Sequence, residues 1–254
     1  MTMVEANRYS ALRGISILMA LDTAVLIVEN GIFLMNTVLP ADLRHGTPLN
    51  EIALYGAWTM WALRMLLWSL TLLSLSRLAG LRKSFGNARI WYLLRFLCFI
   101  TQALAVTFAN LGFRSPSGLT LSAEMLLMFL VITFLGELLL SVGNRVILFA
   151  GAELLNSFGL DTLAKENRRC GNRLLGCTAA QTLFFVIAVA LFVWIRIFQG
   201  RRLSVEGEWA APEWIGFFSA VLFCLLARLG VIAHKILAAA HMNRAYRAVK
   251  ELTE

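Results

Sequence analysis

Charged side chains are scarce in this chain of 254 residues. Asp, Glu, Lys and Arg make up 15% of it, while 59% is hydrophobic and the mean hydropathy is +0.73. Soluble domains carry about 25% charged residues and roughly 45–50% apolar residues. A soluble fold of this size would lack the polar side chains needed to coat its surface, so the composition excludes a soluble domain.

Cysteine is also rare, with four residues. Cys98 and Cys224 lie within apolar segments, and Cys170 and Cys177 flank the predicted cytoplasmic end of the fifth helix. Disulfides are rare in the cytoplasm, and an isolated Cys-x6-Cys lacks the second ligand pair of a zinc site. We therefore predict neither a disulfide framework nor a metal site.

Catalytic motifs are missing as well. The sequence contains no H-E-x-x-H, G-x-S-x-G, G-x-x-x-x-G-K-[ST] or G-x-G-x-x-G pattern. These patterns supply metal ligands, an activated serine or a phosphate cradle. The sequence therefore identifies no catalytic residue and no cofactor.

Long apolar blocks are what the sequence does contain. A helix needs about 20 apolar residues to cross a bilayer, and six blocks reach that length without the alternation of an outer-membrane barrel. Asp22 interrupts the first block, which argues against a cleavable signal peptide. We predict an all-α integral membrane protein, a single transmembrane domain over 1–254. Its six helices are expected at approximately 14–37, 52–76, 90–112, 119–150, 174–198 and 214–240.

The 23 Lys and Arg residues are unevenly distributed. Fourteen lie near the predicted inner loops and tails, four lie in predicted outer loops, and five lie within helices. Basic residues are retained on the cytoplasmic side of a membrane, so both termini are predicted to be cytoplasmic and the protein to reside in the plasma membrane. The formal charge of +8 is then explained by the many basic residues in the predicted inner loops, which also attract the anionic head groups of the lipid bilayer. Nucleic acid is not an expected partner.

The predicted inner loop 151–173 is the longest of the short loops. It alternates leucines and a phenylalanine with polar residues, which favours an amphipathic helix at the membrane surface that continues from helix four. A docking surface for a protein partner in a membrane complex is the alternative interpretation of the same pattern.

A weak internal repeat divides the chain into three helical hairpins. LSRLAGLRKSFGN at 75–87 matches LDTLAKENRRCGN at 160–172 at five positions with a constant offset of 85. The distances from Asn7, Asn87 and Asn172 to an arginine in the following even-numbered helix are 57, 58 and 56 residues. Those arginines are Arg64, Arg145 and Arg228. Repeats of this kind are common in transporters, although a chance match is the open alternative.

Charges inside the membrane are costly, at about 2.5–3.5 kcal/mol for an arginine at the helix centre. Arg95 and Arg196 are predicted near helix ends, from which a long side chain reaches the interface. Arg64 is about 20 Å from the inner boundary, and Glu29 on the neighbouring helix is about 24 Å from it. We therefore predict an ion pair between Arg64 and Glu29.

Other polar residues are predicted at a similar depth. Glu137 and Asn144 are seven residues apart, so they share one helix face with Gly151, where a neighbouring helix can approach closely. His234 and Lys235 are expected near the inner interface. The predicted intramembrane polar cluster consists of Asp22, Glu29, Arg64, Glu137, Asn144, Arg145 and Arg228.

Three functions remain open from the sequence. A small transporter, or the membrane subunit of one, is favoured by charges in several helices and by the hairpin repeat. A non-catalytic scaffold or accessory subunit would dock a partner through the 151–173 loop. A lipid-modifying membrane enzyme that uses the buried carboxylates is the third.

Overall fold

The computed structural model describes residues 3–38, 48–80, 82–112, 123–198 and 212–253. Side-chain environments are described for residues 10–31, 59–80, 82–102, 131–195 and 214–252. The described residues form six α-helices and no strand, in agreement with the predicted all-α class. The helices are α1 (Met3–Val38), α2 (Pro48–Ala79), α3 (Lys83–Gly112), α4 (Ala123–Ser157), α5 (Asp161–Phe198) and α6 (Pro212–Thr253).

Five of these helices are long and apolar enough to cross a membrane. Within the described residues, these candidate spans lie in α1, α2, α4, α5 and α6. Large apolar side chains remain exposed along them, among them Leu73, Leu183 and Leu229, at 58–63% of their full accessible area. So many exposed apolar side chains are typical of a protein surface in contact with lipid and are unfavourable in water.

The helices form a closed ring in chain order. Each helix packs against the next, α6 packs back onto α1, and α4 also touches α6. Contacts between α1 and α6 pair early residues with late ones: Ser16 donates to the Ala239 carbonyl, and Asn30 accepts from Arg228. These two helices are therefore antiparallel, and the start of α1 and the end of α6 lie at the same end of the bundle, which we call the terminal end.

The helices are longer than the predicted ones, and the inner loops are correspondingly shorter. Helix α4 continues to Ser157 and α5 begins at Asp161, so the predicted loop 151–173 is a turn between two helices. In this turn Leu160 N–H donates to the Leu155 carbonyl at 3.0 Å, and Gly159 N–H donates to the Asn156 carbonyl at 3.1 Å. Gly159 has φ +74°, the left-handed value that this helix-ending motif requires.

The apolar residues of that segment point into the bundle. Leu154 and Leu155 are buried, and Phe158, Leu160 and Leu163 pack against the same core. The predicted continuation of helix four is correct. The predicted surface helix is wrong, because its apolar side chains are used between α4, α5 and their neighbours and do not face the membrane surface.

Close helix contacts occur where glycines face a neighbour. A Cβ at Gly151 would lie 3.1 Å from the Met242 sulfur and 3.3 Å from Asn167 Nδ2, so α4 approaches α5 and α6 closely here, as predicted. The four cysteines are free thiols in the structure.

Candidate functional site

A buried carboxylate stands at the centre of the bundle. Glu137 of α4 is surrounded by side chains from α2, α3 and α6, and 6% of its side chain is exposed. Four cationic groups lie within 4 Å of its oxygens: Arg64 Nη1 at 3.5 Å, Arg95 Nη2 at 3.9 Å, Arg228 Nη1 at 3.6 Å and Lys235 Nζ at 3.6 Å.

Two further carboxylates, both on α1, extend this arrangement in opposite directions. Lys235 Nζ lies 3.4 Å from Asp22 Oδ2, so the lysine bridges Asp22 and Glu137. Arg64 Nη2 lies 2.9 Å from Glu29 Oε2, which is the predicted ion pair. We call the seven charged residues the central network: Asp22, Glu29, Arg64, Arg95, Glu137, Arg228 and Lys235.

The network is a string of alternating charges along the bundle. It runs from Asp22 through Lys235, Glu137 and Arg64 to Glu29. Asp22 and Glu29 are seven residues apart on one helix, so the string advances by about 10 Å along the axis. The exposed fraction rises from 10% for the Asp22 side chain to 24% for Glu29. The Glu29 end is therefore the more accessible one.

The hydrogen-bonding capacity of the guanidinium groups is not filled by the described residues. Arg64 Nε, Arg95 Nε and Arg95 Nη1 are buried and have no hydrogen-bond partner there. Arg95 instead places its guanidinium 4.6 Å from the centre of the Trp68 ring, a cation–π contact. Buried donors in proteins are almost always satisfied by protein, water or an ion. The Glu137 Oε2 atom is likewise buried without a hydrogen-bond partner among the described residues, so both donors and an acceptor of the network are unfilled.

The charges of the central network do not balance. The network contains four cationic and three anionic side chains, which leaves one positive charge in excess. An uncompensated charge in a low-dielectric interior is unfavourable, and a single anion bound among the arginines would neutralise it. Removal of any one carboxylate would raise the excess to two.

A small polar cavity adjoins the Asp22 end of the network. Its volume is about 10 Å³, close to the minimum needed to hold one water molecule. Asp22, Lys235, Trp68 and Asn144 contribute to its wall. Trp68 Nε1 donates to Asp22 Oδ1 at 3.1 Å, and Tyr92 Oη donates to Asn144 Oδ1 at 2.6 Å.

Buried apolar side chains lie between this cavity and the terminal end of the bundle. Ile15, Leu75, Phe85 and Ile147 are all fully buried there. Ile15 precedes Asp22 by seven residues, so these side chains lie about 10 Å beyond the carboxylate. On the terminal side of the network, the space among α1, α2, α3 and α4 is therefore packed with apolar side chains.

Six of the seven predicted cluster residues come together in the structure. Five belong to the central network, and Asn144 lines the adjoining cavity. Arg145 does not join them. Its Nε donates to Asn172 of α5 at 2.9 Å, and its guanidinium lies 4.7 Å from the centre of the Phe149 ring. It is eight residues past Glu137, about 12 Å further along α4 and turned toward α5.

Two network residues, Arg95 and Lys235, are more deeply buried than the sequence predicts. Arg95 is predicted near the interface, but it is 2% exposed, packed against Gly136 and Trp68. Helix α3 begins at Lys83, seven residues before the predicted start, so Arg95 lies farther from the helix end than predicted. Lys235 is also predicted near the interface, yet it is 2% exposed because α6 continues to Thr253. A long segment without charges gives too short a length for a helix whose ends carry basic residues.

His234 and Arg196 do not extend the site. His234 Nδ1 is 2.8 Å from the Gly230 carbonyl in its own helix, apart from the network. The Arg196 side chain lies outside the described residues. Among the described residues, no three His, Cys, Asp or Glu side chains are grouped as metal ligands.

Nothing similar is found among known proteins: no family model, curated protein or solved structure matches this chain.

Proposed function

We propose that the protein is a small membrane transporter for an anionic solute, with the central network as its solute site. The observation that carries the proposal is the string of alternating charges with one excess positive charge and unfilled guanidinium donors. Ionisable residues inside a membrane usually mark substrate paths or proton relays. A structure with packed apolar side chains on one side and a more exposed Glu29 on the other fits one end state of an alternating-access cycle.

The proposed topology has six spans, with both termini in the cytoplasm. Helix α3 is included as a span because it packs between α2 and α4, with Arg95 against Gly136 and Tyr92 against Gly143. The excess of basic residues at the terminal end supports the cytoplasmic assignment. The Glu29 end of the network then faces the outer side of the plasma membrane.

The test is transport by the purified protein in proteoliposomes. Chloride, nitrate, phosphate, sulfate, glutamate and succinate are applied as concentration jumps on a solid-supported membrane, and internal pyranine records accompanying proton movement. We expect at least one of these anions to produce a signal that Arg64→Gln and Glu137→Gln abolish.

Arg145→Gln is the matched control, because it removes the same type of charge from α4 outside the network. It should retain the wild-type signal. Transport is contradicted if all six anions fail with wild-type protein, or if Arg64→Gln and Arg145→Gln give equal signals.

A non-catalytic accessory subunit is the second candidate, favoured by the packed apolar side chains on the terminal side of the network. In that function the network joins helices and moves no solute, since polar contacts stabilise membrane helix packing by about 0.6 kcal/mol each. A partner would dock on the exposed basic residues Lys165, Arg168, Arg169 and Arg173 of α5. A lipid-modifying enzyme is less favoured, because Asp22 and Glu137 are enclosed and do not face lipid.

A further inference from the structure

A groove of about 700 Å³ runs along the outside of the bundle between α1 and α6. On α1 it extends from Arg13 to Ala24, and on α6 from Arg247 back to Ile236. Each stretch covers eleven residue steps, or about 16 Å along its helix. The groove is therefore long enough to hold most of a phospholipid acyl chain.

The polarity of the groove changes along its length. At the terminal end it is lined by Arg13, Arg247, Asn243 and Tyr246. Apart from Ser16, the remainder is lined by apolar side chains, among them the alanines Ala20, Ala24, Ala239 and Ala240. A ligand that fits this gradient has an anionic polar head and a long apolar tail.

The two arginines are available to such a head group. Arg13 and Arg247 are both exposed, and neither forms an ion pair with an acidic side chain among the described residues. They come from different helices, and both line the same end of the groove. Basic pockets between membrane helices bind the head groups of anionic lipids, at about 1 kcal/mol per basic residue.

We propose that this groove is a specific site for an anionic glycerophospholipid, with the phosphate held between Arg13 and Arg247 and one acyl chain along the alanine-lined wall. The alanines create the groove because their small side chains leave a depression between the larger residues on the two helices. The site is separate from the central network, and it does not depend on transport.

The test is lipid binding by the purified protein, measured by native mass spectrometry during titration with dioleoyl phosphatidylglycerol. Arg13→Gln/Arg247→Gln should weaken the first binding event, by roughly 5-fold for each arginine. Ala240→Phe, an exposed position, should fill the groove and weaken binding of the same lipid at least 10-fold. Zwitterionic dioleoyl phosphatidylcholine should bind wild-type protein as weakly as phosphatidylglycerol binds the double arginine variant.

The matched controls are Arg168→Gln/Arg169→Gln and Ala179→Phe, which make the same changes at exposed positions of α5. Both should bind phosphatidylglycerol as wild type does, and their folding is checked by gel filtration. Equal lipid binding in groove and control variants overturns the proposal. So does a loss of dimers in vesicles on Ala240→Phe with unchanged lipid binding, which would identify the groove as a protein interface.

Discussion

At the residue scale, Glu137 shows how one carboxylate organises several buried cations. Each of its four cationic neighbours lies at 3.5–3.9 Å, longer than a charge-assisted hydrogen bond. The pair between Arg64 and Glu29 is shorter, at 2.9 Å. Arg64 therefore has one close partner and one shared partner, and the removal of Glu29 would leave it competing for Glu137.

Glu29→Gln should destabilise the protein by about 3 kcal/mol, because it leaves Arg64 without its close partner and raises the excess positive charge of the network to two. Arg64→Gln should destabilise it less, because the network then contains three cationic and three anionic side chains. The double variant should be more stable than the sum of the single changes predicts, by about 1–3 kcal/mol. Thermal unfolding in detergent, followed by tryptophan fluorescence, measures all three.

Arg244→Gln provides the reference for this cycle. Its pair with Glu166 at 3.9 Å is exposed, so the change should be within about 1 kcal/mol. Strictly additive effects of the two network substitutions would show that Arg64 and Glu29 do not interact.

At the scale of the helices, length decides the depth of each charge. Arg95 lies twelve residues, or about 18 Å, from the start of α3 at Lys83. Lys235 lies eighteen residues, or about 27 Å, from the end of α6. Both residues would be interfacial on the shorter predicted helices. The longer helices place both within reach of Glu137.

Helix contacts at this scale can be tested with two glycines. A Cβ at Gly143 of α4 would lie 3.0 Å from the Tyr92 ring and 3.3 Å from Trp91 Cβ, whereas a Cβ at Gly176 of α5 would meet no atom within 4 Å. We expect Gly143→Ala to destabilise the protein by about 1–3 kcal/mol, because α3 must move away.

The control, Gly176→Ala, should be neutral or should stabilise the protein by up to about 1 kcal/mol through helix propensity. Chemical denaturation in mild detergent gives both values. If both alanines change stability by the same amount, α3 and α4 are not in the close contact described.

At the scale of the whole molecule, the packing of α6 against α1 closes the ring of helices and assembles the central network. Asp22 and Lys235 are 213 residues apart in sequence. They meet because α6 returns to pack against α1. Without that contact, neither Lys235 nor Arg228 would reach the α1 side of the network, and the groove between α1 and α6 would not exist.

Cysteine crosslinking tests the closure. In a background that lacks the four native cysteines, Ser16→Cys/Ala239→Cys should crosslink with a short bis-methanethiosulfonate reagent, because Ser16 Oγ lies 2.9 Å from the Ala239 carbonyl oxygen. The crosslinked chain should migrate faster on a denaturing gel. Ser16→Cys/Ala179→Cys, which joins α1 to an exposed position on α5, should not crosslink. Equal crosslinking of the two pairs would contradict the closed ring.

The sequence alone predicts an all-helical chain whose long apolar helices carry charges in their interior, and the described residues contain six helices, five of them long and apolar enough to cross a membrane. These properties follow from composition and from blocks of at least twenty apolar residues, which are local features of the chain. It also predicted the pair between Arg64 and Glu29, because a hairpin brings adjacent helices into register. The ends of the helices could not be predicted as well. The basic residues at Lys83 and after residue 240 are helical, but they do not belong to the apolar blocks that predict a helix.

Which charges meet depends on the packing of all the helices. The spacing of Arg145 in its hairpin is within two residues of the spacings of Arg64 and Arg228 in theirs, yet Arg145 faces α5 and not the network. The partner of a side chain depends on the rotation of each helix about its axis and on its vertical register against non-adjacent helices. Those variables are set by packing among all six helices, so they cannot be obtained from spacing along one segment.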